Sequence, residues 1–332
     1  MQYVDTVYGS TSFTEPMILD LMQSDAIERL RSVLQHGITA VLGITQPITR
    51  FEHSVGAMIL VQRAGGSVSE QAAALMHDVS HTAFSHVADF VFGGPHSYHE
   101  AKRREWMAQS DIRAVLSRHG VDWTDFLDDE RFPLLEQPSP RLCADRVDYF
   151  LRDSLALGIL TESQARELSG SLVVVAGRFA VRGLDAARLF GYKYIEADQT
   201  SWSDKTAILL YELTARALRT ALDRSVIADT DLWGGDRQLW DKISQSRDAA
   251  TAASVKLILR YQDFVVDESA DESIPDQSKP SVRLQPKIRT IDPDVVTERG
   301  MLPLSVLDTE FRGYLDNYLK TRASTISLRL AD

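Results

Sequence analysis

Apolar positions recur at helical spacing through the first two thirds of the chain. Thr14-Glu15-Pro16 predicts a helix start, with a cap and an early proline that loses no needed N–H. Ser24-Asp25 predicts another, leading into AIERLRSVLQ, where Ile27, Leu30, Val33 and Leu34 share one face. EHSVGAMILVQ (residues 52–62) reads as a buried helix closed by Gly65-Gly66. SEQAAALMHDV follows, apolar almost all round, as expected of a helix at the centre of an α-helical domain.

Gly93-Gly94-Pro95 interrupts the pattern, and residues 96–107 resume it. Residues 120–140 include loop, with Pro133, Pro138 and Pro140 among acidic residues. Strong periodicity returns over 141–157 and ends at Gly158, and residues 161–171 and 201–224 predict two more helices. Ser201-x-x-Asp204 resembles an acidic cap for the second of these. Near residue 262 the character changes: DFVVDESADESIPDQSKPS is acidic and reads as a solvated loop or linker. SVRLQPKIRTI and the final STISLRLAD alternate apolar with polar residues, predicting strands of a small sheet, with a helix over 306–322 between them. The expected division is a core over 1–160, an accessory helical region continuous with it over 161–261, and an acidic loop with a small α+β element over 262–332. The predicted fold class is mainly α.

Composition alters this picture little. At 332 residues, 44% hydrophobic and 25% charged, the chain is that of an ordinary globular protein. No run approaches the roughly 20 apolar residues of a membrane span, and MQYVDTVYGS does not read as a secretory signal. Cys143 is the single cysteine and reads as a small packing residue, so a disulfide framework is excluded and a cytoplasmic setting is the expectation. A formal net charge of −11 argues against a duplex nucleic-acid partner. It leaves room for a small phosphorylated ligand, because a metal and a few local arginines can reverse the field inside a pocket.

The candidate chemistry lies in a spaced histidine series: His53, His77, His81, His86 and His99, with His96 in the same stretch but expected in an exposed loop. His77-Asp78 ends an apolar helix, where an imidazole and a carboxylate are costly unless paired or bound to a metal. A helix tail carrying His77 and His81 four residues apart would aim both rings at one pocket. Asp145 begins a helical face shared with Tyr149 and with Arg152 or Asp153. Mixed imidazole and carboxylate donors suit Mn²⁺, Fe²⁺, Co²⁺ or Zn²⁺. Spare histidines leave open a second ion, Mg²⁺ included. Neither GxSxG nor GxxxxGK[ST] occurs, so serine-hydrolase and P-loop chemistry have no support.

TRFEHSVG (residues 49–56), LMHDVSHTAFSH (75–86) and ADRVDYFLRD (144–153) resemble, in order, three motifs of the HD-domain phosphohydrolases. The pattern is nearest to the deoxynucleoside triphosphate triphosphohydrolases, including the form joined to a sterile-alpha-motif domain. The resemblance implies an orthogonal helical HD core and metal ligands at His53, His77, Asp78 and Asp145. It places His81, His86 and His99 around the scissile phosphate, with His86, backed by Asp89, as acid/base. Arg50, Arg146, Tyr149 and Asp153 match positions that contact phosphates or sugar. A nucleotide substrate and a homo-oligomer are further implications.

Departures from the family pattern are Ser80 for a common glycine, Thr82-Ala83 for Gly-Pro, and Arg146 for a common lysine, which changes reach and fork geometry. They bear on the substrate rather than the metal site. The expected reaction is hydrolysis of a deoxynucleoside triphosphate to nucleoside and triphosphate. Alternatives are a nucleoside monophosphatase or phosphodiesterase at the same centre, or a nucleotide sensor with little turnover. His36 and His119 read as structural or surface residues, Arg152 as a partner of Asp148 on a solvated face, and Lys102-Arg103-Arg104 as helix surface.

Overall fold

Ten helices of nine residues or more carry the described architecture in this computed structural model, which is mainly α. They are α1 (Arg50–Arg63), α2 (Val68–Met76), α3 (Tyr98–Gln109), α4 (Ala144–Ala156), α5 (Glu162–Ser171), α6 (Leu184–Ala197), α7 (Lys205–Asp223), α8 (Asp236–Ser244), α9 (Ala249–Leu259) and α10 (Thr309–Arg322). Residues 1–94, 97–266, 281–322 and 324–331 are described. His96 and most of the acidic segment expected to be a loop lie outside them.

The central helix is α1. A reciprocal capping box between Thr49 and Glu52 starts it, and every residue from His53 to Val61 is buried. It packs against α2 and α4, and Gly56 faces α4 at close range. A Cβ there would collide with the Asp148 and Arg152 side chains of α4, so this close packing of α1 on α4 requires glycine at that position.

Short strands frame the helices. β1 (Gln2–Asp5) and β2 (Gly9–Ser12) form an N-terminal antiparallel hairpin. β3 (Leu172–Val175), β4 (Arg178–Val181), β7 (Asp294–Thr297) and β8 (Gly300–Pro303) make a four-stranded sheet in that order, with β4 and β7 parallel. β5 (Phe264–Val266), β9 (Ile326–Leu330) and β6 (Ser281–Leu284) make a three-stranded one. The C-terminal strands are thus shared between two sheets, and one of those sheets also takes strands from the middle of the chain.

Several predicted elements differ in extent. α2 stops at Met76, with His77 as its C-cap, so His81 stands in the following turns and not on a helix tail. Ser201 lies in a π-helical turn that continues α6; Asp204 is the cap of α7 and accepts the Thr206 N–H. The helix expected after Ser24 breaks into a four-residue α segment and a 3₁₀ turn at Arg29. Only 281–284 of SVRLQPKIRTI is strand, and the stretch that follows runs without regular structure to Pro293. The predicted 306–322 helix is divided at Asp308 into a short turn and α10.

Two apolar cores meet beneath the histidine series. One is built on α1, α2, α4 and α6 and includes Val79. The other is built on α7, α8 and α9 and includes Ala83, Phe84 and Val87. The turns from His77 to His86 cross from one core to the other. Phe84 and Ser85 both hold positive φ (59° and 52°), a strained state for residues with a Cβ. The Phe84 N–H donates to Asp236 Oδ1 at 3.0 Å, which pins that strained turn.

Candidate metal centre

Each motif delivers its donors from a different element. His53 projects from the first turns of α1, His77 caps α2, Asp78 follows it, and Asp145 sits at the start of α4. His53 Nε2 is 2.9 Å from Asp145 Oδ1 and 3.2 Å from His77 Nε2. His77 Nε2 is 3.4 Å from the same Asp145 oxygen, and Asp78 places its oxygens 3.6 Å from His77 Nε2 and 3.7 Å from His53 Nε2. Ligands about 2.0–2.2 Å from a shared ion at tetrahedral or octahedral angles stand roughly 2.9–3.5 Å apart. The cluster has nearly that spacing.

The far nitrogens of the two rings decide what the near ones offer. His53 Nδ1 lies 2.8 Å from Asp148 Oδ2, and His77 Nδ1 lies 2.7 Å from the Ala74 carbonyl. A carbonyl and an ionised carboxylate can only accept, so both Nδ1 atoms carry the proton. Two neutral rings would point their Nε2 lone pairs at each other over 3.2 Å, which is repulsive, so a cation between them, a proton or a metal ion, is favoured. Burial opposes charge on His53, but Asp145 and Asp148 outweigh it and push its pKa up to about 10. Burial likewise opposes charge on Asp78, yet Arg50, His77 and His81 hold its carboxyl well below the usual range. Positive charge is what this cluster attracts, and its donors fit a divalent ion.

The other predicted residues divide into groups. His81 and His99 stack with centroids 3.7 Å apart, and His86 meets both edge-on. Burial, His86 and Arg50 bring the His99 value down to about 3, and burial and Arg50 lower His81 as well. His86 is also lowered, by burial first, with Asp89 opposing. Its Nδ1 is 3.1 Å from Asp89 Oδ2, while Asp89 Oδ1 accepts the Tyr98 N–H at 2.7 Å, so the ring is held from behind. Arg50 donates to Asp78 at 2.5 Å. Arg146 is turned toward the preceding loop, donating to the Arg141 and Gln137 carbonyls and facing Glu136 at 3.4 Å. All of these except Asp89 line one cavity of about 390 Å³ with the four proposed ligands.

Tyr149 and Asp153 belong chiefly to a smaller chamber of about 190 Å³, which shares Gln35, Arg50, His86, Tyr149 and Arg289 with the first. The Tyr149 hydroxyl is hydrogen-bonded to that of Tyr194. Asp153 accepts from Trp202 Nε1 at 2.7 Å and faces His36 Nε2 at 3.1 Å. His36 is therefore a wall of this chamber, where the sequence suggested only a structural or surface residue.

Some participants escaped sequence reasoning. Asp148 and Arg152 do pair, as expected, but in the interior: they are 0% and 4% exposed. Arg152 continues the chain to Asp5 at 3.0 Å. Asp145, Asp148 and Arg152 fall on one helical face, and that spacing was the available signal. Arg103 is likewise no surface residue; it is nearly buried, binds Asp129 and the Phe126 carbonyl, and lines the larger cavity. Lys287 and Arg289 reach that cavity from the irregular segment after β6, and no local pattern announces them. His119 bonds Asp20 at 2.9 Å, away from the centre.

Among known proteins, the chain is 36% identical over 314 residues to the metal-dependent phosphohydrolase cns2 of Cordyceps militaris, covering 91% of this chain and 88% of that one. It is 25% identical over 245 residues to a deoxynucleoside triphosphate triphosphohydrolase homologue from Dictyostelium discoideum, covering 63% of this chain and 42% of the relative. A solved phosphohydrolase from Bacteroides thetaiotaomicron superposes over the whole of both chains with a TM-score of 0.73 at 17% identity, a likeness of fold. No family model matches the chain.

Proposed function

We propose, from the premise that this chain belongs to the metal-dependent phosphohydrolase family, that it hydrolyses a phosphoester or phosphoanhydride of a nucleotide. In this reading His53, His77, Asp78 and Asp145 hold the metal. The observation that carries it is the convergence of these four side chains with two Nδ1 atoms already committed to acceptors, leaving both Nε2 atoms aimed at one point. A divalent ion there supplies Lewis acidity, drawing charge from a phosphoryl oxygen and acidifying water. Arg50 supplies a fixed guanidinium beside that point. His86 starts neutral and is steadied through Nδ1 by Asp89, so its Nε2 can take or give a proton, and an anionic phosphate nearby would raise its basicity. The smaller chamber, with Tyr149, Asp153 and Trp202, receives the rest of the nucleotide.

Two substrate classes divide this reading. Deoxynucleoside triphosphates are supported by the three ordered motifs and by the name of the Dictyostelium relative. Monophosphates are favoured by the charge inventory of the larger cavity. Arg50, Arg103, Arg146, Lys287 and Arg289 line it, against Asp78, Glu100, Asp129, Glu136 and Asp145. Arg50, Arg103 and Arg146 already face carboxylates. Among the described residues, Lys287 and Arg289 are the cations of this cavity in no ion pair within 4.0 Å, and Arg289 lies near Asp198, whose carboxyl accepts its backbone N–H. Adding a divalent ion balances a phosphomonoester, which carries about two negative charges, better than a triphosphate.

The test is incubation with Mn²⁺ and a panel of ribo- and deoxynucleotides from mono- to triphosphates, with products resolved by chromatography. Nucleoside with inorganic triphosphate selects the first class; orthophosphate from monophosphates selects the second. Asp78→Ala should abolish metal retention and turnover together, and a folded Asp78→Ala protein with normal turnover would sink the site assignment.

A further inference from the structure

Gln35, Arg50, His86, Tyr149 and Arg289 line both the larger cavity and the smaller chamber. They mark the throat between the two, where the bond joining a phosphate to its nucleoside falls in the reading above. Arg50 is committed there, since it donates to Asp78 and Ser85. Arg289 is not. Its guanidinium uses one N–H, at 3.3 Å, on the Lys287 carbonyl, and its remaining donors are open to a ligand. Its charge favours the phenolate forms of Tyr149, Tyr194 and Tyr211 and opposes protonation of His86, which puts it among those four rings.

Residues 285–293, which carry Arg289, have no regular structure, so their own hydrogen bonds cannot hold the side chain in place. Two tethers do. At the far end the Asp292 N–H donates to the Pro140 carbonyl at 3.0 Å, and the Asp292 carboxylate accepts the Ser305 N–H at 2.8 Å. At the throat the tether is Asp198, which is 0% exposed. Its carboxyl accepts the Arg289 N–H, and its Oδ2 accepts the Tyr318 hydroxyl of α10 at 2.9 Å. Asp198 also opens the π-helical turn whose residues Thr200, Ser201 and Trp202 line the smaller chamber. Such turns are rare and gather at functional sites. Arg322, at the end of α10, donates to the Ser203 carbonyl at 2.9 Å, and the Ser203 hydroxyl donates to the Asp198 carbonyl at 2.9 Å, which locks the turn from its other side.

Resting on the phosphohydrolase reading above, we propose that Arg289 holds the phosphate joined to the sugar, and that Asp198 is the positioning residue that fixes Arg289 at the throat. The C-terminal element is then part of the substrate site, through α10 and residues 285–293. The substrate class this favours is a nucleoside phosphomonoester, whose only phosphate takes this contact.

The test is binding of inorganic phosphate to the Mn²⁺-loaded protein by calorimetry, with Mn²⁺ affinity measured in parallel. Arg289→Gln should weaken phosphate binding about 10–100-fold, the effect of one hydrogen bond to a charged group, and leave Mn²⁺ affinity unchanged. Added guanidinium ion should restore part of the loss in Arg289→Ala. Asp198→Ala should match Arg289→Gln, while Asp198→Asn, which keeps an acceptor oxygen, should recover most of the affinity. The double variant Asp198→Ala with Arg289→Gln should bind phosphate no more weakly than Arg289→Gln alone. Should Asp198→Ala fail to fold, Tyr318→Phe removes one support of that carboxyl, and it should weaken phosphate binding in wild type but not in Arg289→Gln. Unchanged phosphate affinity in a folded Arg289→Gln protein, or losses at the two positions that add, overturn the proposal and leave the phosphohydrolase reading standing. Wild type that holds Mn²⁺ and binds no phosphate overturns the reading of this cavity as a phosphoryl site, and this inference with it.

Discussion

Asp148 Oδ2 lies 2.8 Å from His53 Nδ1, on the side of the ring away from the donor cluster. The same carboxylate is held by Arg152, which is held by Asp5 at the end of β1. The orientation of one ring at the centre therefore depends on a buried ion chain that ends at the N-terminal hairpin. Partners of this kind, behind a metal-binding histidine, typically contribute about 10–100-fold to metal affinity. Asp148→Asn should weaken Mn²⁺ binding by about that factor with little change in circular dichroism, measured by competition with a chelating dye. Asp148→Ala should do worse, because removing one partner of a buried ion pair costs about 3–5 kcal/mol. Unchanged affinity in a folded Asp148→Asn protein would remove His53 from the ligand set.

The bare position at Gly56 makes the same dependence testable from the opposite helix. Alanine normally favours a helix over glycine by about 1 kcal/mol. At Gly56 the added Cβ would run into Asp148 Oδ1 and Arg152 Nη2, which the buried network cannot release. Gly56→Ala should lower stability by about 2 kcal/mol or more and weaken metal binding as well. Gly170→Ala in α5, where a Cβ meets nothing within 4 Å, should be neutral or stabilising. Thermal melts of the two variants with and without Mn²⁺ check this, and equal behaviour at the two positions would contradict it.

What the sequence revealed and concealed follows from the reach of local pattern. The mainly α class and the helices carrying the motifs were legible because long buried helices repeat apolar residues over several turns, as α1 does. The four-residue strands β1, β2, β3, β4, β7 and β8 were not, since four residues give too few alternations to count. The helix tail expected for His81 is absent because α2 ends at Met76, and the turns that follow, with Phe84 and Ser85 at positive φ, cross between two cores, a tertiary demand that local propensity does not encode. Asp148 was visible as a helical neighbour of Asp145, but its burial was not. Lys287 and Arg289 are far from the motifs in sequence, and only the tertiary fold returns them to the cavity.

Asp236 gives the fold a pH dependence separate from the metal. It is 1% exposed and accepts backbone N–H groups from Phe84 and Leu34. Burial outweighs those bonds and the nearby Arg50 and Arg29, pushing its pKa up to about 7. A carboxyl raised in the folded state contributes stability that is complete below its unfolded value of about 3.9 and is lost as pH climbs through about 7. Wild type should therefore lose stability between pH 5 and pH 8.5 by a few kcal/mol on this account, at about 1.4 kcal/mol per unit. Asp236→Asn changes the level by a roughly constant amount but should flatten the slope. Denaturant unfolding across that range compares the two slopes, and parallel curves would refute the assignment.

The smaller chamber separates binding from chemistry. Asp153 is 1% exposed, and it faces His36 with one oxygen while accepting from Trp202 with the other. Neither contact reaches the donor cluster. Asp153→Asn keeps the shape and can still accept from Trp202, but it removes the negative charge that faces His36 and the chamber. A hydrogen bond to a charged group contributes about 1.5–3 kcal/mol, which corresponds to about 10–100-fold in binding. With the nucleotide that proves to be turned over, KM should rise by roughly that factor while kcat and bound Mn²⁺ stay near wild type, the pattern of lost uniform binding. A fall in kcat with KM unchanged would instead place Asp153 in the chemical step, and the chamber would then hold the reacting group rather than the remainder of the substrate.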